Sequence, residues 1–180
     1  MKVTYANQTY NCVKAIREGT SATLYLADGG PIHLYGIQED AWEKFQFEGG
    51  DWYQPPLEEV KAQRIAQSKA DLAVYLESHP IQWTDGAYYA ITAEKQQQLT
   101  GKILSATLAQ QTSTPYTLTW NSTGQVCKEW TLEELGKLAF AIDARVTALV
   151  GYQQTQEVAM RDAASLEALA AIEVDYDTVG

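Results

Sequence analysis

Pro55-Pro56 divides the chain into two stretches with different hydrophobic periods. Two consecutive prolines remove two backbone donors and fix φ twice, so neither a strand ladder nor a helix interior passes through them. Before them, short β-branched and aromatic runs alternate at period two, and turn residues separate the runs. After them, apolar residues recur at helical spacing over long stretches. The expected fold class is therefore α+β with the two kinds of element segregated. Residues 1–54 read as a β-rich meander domain. Residues 55–180 read as a helix-hairpin-helix-hairpin-helix domain.

In the first stretch, Val3-Thr4-Tyr5 and Tyr10 to Ile16 flank the turn Ala6-Asn7-Gln8. Thr23 to Leu26 and Ile32 to Tyr35 flank Asp28-Gly29-Gly30-Pro31. These are two consecutive hairpins. A meander of this size has one face to bury, and must cover it with another element or with a partner. Residues 37–54 are ambiguous. Glu39 to Lys44 fits a short helical turn, and Phe45-Gln46-Phe47 fits a fifth strand ended by Gly49-Gly50.

In the second stretch, Leu57 to Glu77 reads as a helix stopped by Ser78-His79-Pro80, because the residue before proline is pushed out of the helical region. The aromatic runs Ile81 to Trp83 and Ala87 to Ile91 flank Thr84-Asp85-Gly86, a strong hairpin signal. Thr92 then caps a helix to about Gln110. The same order recurs. Tyr116 to Trp120 and Gln125 to Trp130 flank Asn121-Ser122-Thr123-Gly124, and Thr131-Leu132-Glu133-Glu134 is a capping box opening the next helix. Gly151 is expected to close that helix. A further helix or pair of helices is expected over 153–172, with a fresh start at Ser165. The acidic tail from Val174 reads as frayed.

Composition narrows the partners. The 180 residues carry a formal charge of −10, which disfavours phosphate backbones and anionic lipid. The most basic cluster, Lys61, Arg64 and Lys69, lies among Glu58, Glu59 and Asp71 and reads as a mixed, solvated helix face. Nucleic acid and membrane insertion are therefore not expected. The N-terminus has no apolar core of a signal peptide, so synthesis in a cytoplasm is expected. In a reducing cytosol Cys12 and Cys127 are expected to be free, buried thiols.

No catalytic or metal-binding motif stands out. His33 and His79 have no Cys, Asp or Glu at ligand spacing. Glu39-Asp40, Glu58-Glu59 and Glu133-Glu134 sit at expected helix N-termini, where the macrodipole favours negative charge. No cofactor and no metal are expected, and the chain does not read as an enzyme. A glycan-cleaving site would need two carboxylates about 5–10 Å apart in a deep pocket.

Five tryptophans and eleven tyrosines are the chemically loud feature. Trp83, Tyr89, Trp120 and Trp130 read first as covers for the helices they precede. Trp42, Trp52 and Tyr53, around the prolines, are candidates for an interdomain or intermolecular contact. With Trp83 and Tyr88 they form the candidate interaction surface. The helix from Leu132 repeats at gaps of three and four, through Leu135, Ile142, Val146 and Leu149. Packing within its own domain is the first reading of that stripe, and the seam of a homo-oligomer is the alternative.

The lead-in Leu57 to Ala62, the Asp-Gly hairpin at Trp83 to Ile91, the Trp120 to Thr131 hairpin, the helix start at Thr131 to Leu135 and the run Ala163 to Leu169 together resemble a domain of unknown function from tail and tail-fibre-region proteins of tailed bacteriophages and prophages. The resemblance covers about residues 56–176, and the N-terminal meander looks like the short β leader that precedes such domains. It implies a tail-associated structural protein of the virion, at the tail tip, baseplate or fibre region, that contacts other tail or baseplate proteins. A tail-fibre assembly chaperone absent from the virion is the alternative.

Overall fold

Ala6 and Asn7 both adopt positive φ (48° and 62°), the two-residue turn whose twist matches that of antiparallel strands. Around it the computed structural model, which describes residues 1–179, builds strand β1 (Lys2–Tyr5) against the long strand β2 (Gln8–Glu18). Strands β3 (Ser21–Leu26) and β4 (Ile32–Leu34) extend the meander. A 3₁₀ turn over Glu39–Lys44 follows, and β5 (Gln46–Glu48) returns to the free edge of β1. The result is a five-stranded antiparallel sheet in the order β4-β3-β2-β1-β5. Both readings of the ambiguous segment are thus realised, one after the other.

The sheet covers its own face. Val3, Cys12, Ala15, Ala22 and Leu24 point inward, and Ile37, Trp42 and Phe45 close over them. The register explains the selection, since Val3 pairs with Tyr10 on one side and Phe47 on the other, and all three belong to that face. A bulge between Cys12 and Lys14 pushes Val13 out to solvent.

The chain separates into two compact units, Met1–Pro56 and Leu57–Gly180. In the second, helix α1 (Leu57–Ser78) is followed by a hairpin of β6 (Ile81–Gln82) and β7 (Tyr88–Tyr89). Helix α2 (Ala93–Thr112) leads to a second hairpin of β8 (Thr119–Trp120) and β9 (Lys128–Glu129). Helix α3 (Leu132–Asp162) packs against both α1 and α2. The short helix α4 (Leu166–Ala170) starts at Ser165, whose hydroxyl accepts the Ala168 amide, and a 3₁₀ turn over Tyr176–Thr178 follows. The fold is α+β, as the division at the prolines predicts.

Four expectations need correction. Gly151 does not end α3, which runs on to Asp162. Beyond the glycine, Gln153 is 4 % exposed and bonds Ser68 of α1, and Met160 is buried with Ala163 and Leu169. These tertiary contacts outweigh the cost of a helical glycine, about 1 kcal/mol. Through residue 179 the acidic tail is not frayed, because the Tyr176 ring is buried and its hydroxyl donates to the Ser68 carbonyl at 2.7 Å; Gly180, the last residue of that expectation, lies outside the described residues. The Lys61, Arg64 and Lys69 face is not simply solvated. Lys61 is 9 % exposed and pairs with Glu58, Arg64 donates to the Ile172 carbonyl at 2.6 Å, and Lys69 pairs with Glu157 on α3. Finally, the second hairpin is shorter than its apolar runs. Gln125, Val126 and Cys127 are exposed outside the ladder, and Cys127 is a free exposed thiol while Cys12 is free and buried.

Candidate functional site

The first hairpin turns through Thr84-Asp85-Gly86. Gly86 takes φ +77° and its amide donates to the Trp83 carbonyl, while the Trp83 amide donates to the Ala87 carbonyl. That is the three-residue hairpin in which only glycine fits the left-handed position without strain. The Asp85 side chain accepts the Ala87 amide at 3.0 Å, which rigidifies the turn. It also accepts the Tyr89 hydroxyl at 2.8 Å.

The second hairpin reaches the same carboxylate. Lys128 Nζ lies 2.6 Å from Asp85 Oδ2, across 43 residues of sequence. The Thr123 amide donates to the Tyr88 carbonyl at 2.8 Å, and the Tyr89 and Trp130 rings meet edge to face at 5.7 Å. Lys128 also sits over the Trp130 ring, 4.8 Å from its centroid. The two hairpins, separated by α2 in sequence, therefore form one continuous rim on the helical unit.

Electrostatics follow from this geometry. The Lys128 hydrogen bond, helped by the Ala87 and Tyr89 donors, outweighs partial burial and lowers Asp85 to a pKa of about 2. Lys128 is raised in turn, first by its bond to Asp85. Burial raises Tyr89, so its hydroxyl stays a donor. Beside the ion pair lies an open groove of about 400 Å³, walled by Trp83 and Trp130 and edged by Thr84, Lys128, Glu129 and Lys137. Trp130 Nε1 is buried and has no acceptor among the described residues. A second groove of about 430 Å³ lies between α2 and the second hairpin, where Trp120 and Tyr116 line it with Lys102 and the Cys127 thiol.

The residues singled out from sequence are scattered. Trp42 is 6 % exposed and belongs to the core of the β unit, with Arg17 stacked 4.2 Å from its ring centre. Trp52 packs edge-on against Trp42, Phe45 and Phe47, so these two indoles are not free for a contact surface. Their apolar area closes the sheet face that the meander exposes. Tyr53 stays 38 % exposed, its ring under Lys14 Nζ at 3.6 Å. Trp83 and Tyr88 lie on the same hairpin but on opposite faces of it: Tyr88 pairs with Gln82 and is 52 % exposed, whereas Trp83 alternates to the face of Ile81 and Tyr89 and packs against the helical core. Leu135, Ile142 and Leu149 are buried in the helical unit's core, and Val146 packs against it. The seam residues thus face their own unit, and the packing reading is the one observed.

Sequence reasoning missed the Asp85–Lys128 bridge and the orphaned Trp130 N–H. The Asp-Gly turn was visible, but no local signal joins it to a lysine on the far side of a helix. Elsewhere His79 stacks on Tyr75 at 3.9 Å, and His33 shares a hydrogen bond with Thr23. Among the described residues no cluster of three His, Cys, Asp or Glu side chains could hold a metal ion, and no helix is long and apolar enough to cross a membrane.

A family described as Domain of unknown function (DUF4376) matches residues 57–178, which is more than half of the chain and nearly all of the helical unit. No curated protein and no solved structure matches the chain significantly.

Proposed function

We propose, from the premise that the chain belongs to the DUF4376 family, that it is a tail-associated structural protein of a bacteriophage or prophage. It acts by contact with other tail or baseplate proteins and not by catalysis. The bacteriophage origin rests on the resemblance of residues 56–176 to tail-region domains. The contact role rests on one observation, the joining of two aromatic hairpins into a rim that holds Tyr88 and Val126 out to solvent at 52 % and 87 % exposure. Exposed aromatic and aliphatic tips held on a rigid frame are what a protein interface anchors on.

The use of the polar side chains supports the same reading. Asp85 bridges the hairpins, Glu134 closes the capping box with Thr131, and Glu157 joins Lys69 to Arg161. Each of these carboxylates is lowered by the bond that it makes to the scaffold.

The test is mass spectrometry of purified particles from the source phage or induced prophage. A stoichiometric signal at fixed copy number is the expected result. Absence from particles, with a fibre protein co-purifying from lysate, overturns the virion role in favour of an assembly chaperone.

A further inference from the structure

We infer that the outer face of α3 is the contact surface for a second copy of this chain, with the two helices antiparallel. This goes beyond the tail role and does not depend on it. Helix α3 carries two stripes. One, through Leu135, Ile142 and Leu149, lies in the core of its own unit. The other runs along the opposite side through Phe140, Ala144, Thr147, Gly151, Thr155 and Val158, all exposed. Phe140 is 77 % exposed and Val158 50 %. Gaps of three and four keep these residues on one face for about 27 Å.

The stripe suits a helix. Its two large apolar side chains stand at the ends, and the small ones between them let a second helix approach closely at the centre. The Thr155 hydroxyl donates to the Gly151 carbonyl at 2.9 Å, so its polar group is used within the helix. The charged residues of the same span turn away. Arg145 donates to the Val179 carbonyl, Glu157 pairs with Lys69 and Arg161, and Asp143 lies about 60° round the helix from Phe140.

Charge identifies the occupant. Each copy carries a net −10, so two copies repel wherever acidic surface meets acidic surface. They can approach at a face that is uncharged or whose charges match. Lys137 bounds this stripe before Phe140 and Asp162 bounds it after Val158, and both are exposed. Lys137 also holds Glu133 one turn back and keeps two ammonium hydrogens for another acceptor. An antiparallel second copy presents the same residues in reverse order. Phe140 then meets Val158 of the second copy, Thr147 meets its Gly151, and Lys137 meets its Asp162 at each end. In a parallel pair lysine faces lysine and aspartate faces aspartate, and the helix dipoles oppose the contact as well. A single helix pair is at the small end of interface sizes, so a dissociation constant on the order of 10 µM is expected.

The experiment is sedimentation equilibrium of the full chain over about 1–300 µM, on either side of that constant, with far-ultraviolet circular dichroism of every variant. The parent is expected to pass from monomer to dimer over that range. Phe140→Ser, at an exposed position, is expected to keep the helices and to weaken association about tenfold or more. Lys137→Glu and Asp162→Lys are each expected to weaken it several-fold, and the double variant, which swaps the two charges, to restore it. Four results would overturn the inference: a monomer throughout, which would leave the face to a different protein; an assembly other than a dimer; a dimer that Phe140→Ser leaves unchanged; or a double variant that associates no more tightly than the single ones.

Discussion

Asp85 accepts three hydrogen bonds from two hairpins, and Trp130 carries a donor that meets none. These two side chains set the local chemistry of the rim. The folded-state pKa of Asp85, about 2, lies below the ordinary aspartate value of about 4. A depressed carboxylate contributes stability that is full above the unfolded pKa and lost as pH falls through the folded one. The window is therefore about pH 4 down to about pH 2. Lys128 is 53 % exposed, so solvent screens the pair and the contribution is about 1–2 kcal/mol, less than the full shift implies. Asp85→Asn is expected to lose that amount at pH 7 in urea unfolding. Variant and parent should converge as the pH approaches about 2, and a constant gap across that range would contradict the assignment. Little of this was legible in the sequence. The Thr84-Asp85-Gly86 turn announces itself through residue types, whereas its lysine partner is brought near only by the packing of α2.

Helix α3 illustrates how far local rules reach. Its start was readable, because Thr131 and Glu134 satisfy each other's backbone amides at the first turn. Its end was not, because a glycine marks a helix terminus only when it takes positive φ. Gly151 does not, and a Cβ added there meets nothing within 4 Å. Gly151→Ala is thus expected to stabilise the helical unit by about 0.5–1 kcal/mol. Thermal and urea unfolding would both register the gain, and a loss would mean that the helix breaks there after all. The hairpins show the same contrast. The first follows its turn chemistry, while the second pairs only Thr119 and Trp120 with Glu129 and Lys128, and its Thr123 amide donates to the Tyr88 carbonyl of the first. Trp42 and Trp52 were misplaced for a related reason. Aromatic residues near a linker look available until the sheet face that needs them is counted.

Each unit has its own apolar core, and the helical one is organised on α3. Leu135 and Leu149 are fully buried and Ile142 is 3 % exposed, so the heptad-like spacing is that of a helix packed between two neighbours. Ile142→Glu would place an unpaired carboxylate in that core at a cost of several kcal/mol. Loss of helical circular dichroism is the expected outcome. A soluble monomer with its helices intact would instead revive the oligomer seam. The division of the chain into strands and then helices was legible because it depends on period and proline. Closure of the helical unit was not, because it runs through contacts far apart in sequence.

The tail that carries Tyr176 has a kinetic consequence. Its hydroxyl reaches Ser68 across 108 residues, the same separation that lets Arg64 hold the Ile172 carbonyl. Closing so long a loop gains nothing until the intervening helices are in place, so this latch forms late on the folding route and contributes little to the rate-limiting step. Tyr176→Phe, which removes about 1 kcal/mol of hydrogen bonding, should therefore leave the folding arm of a chevron plot unmoved and speed the unfolding arm about fivefold. The segment then sets how long the folded helical unit lasts, with little say in how fast it forms.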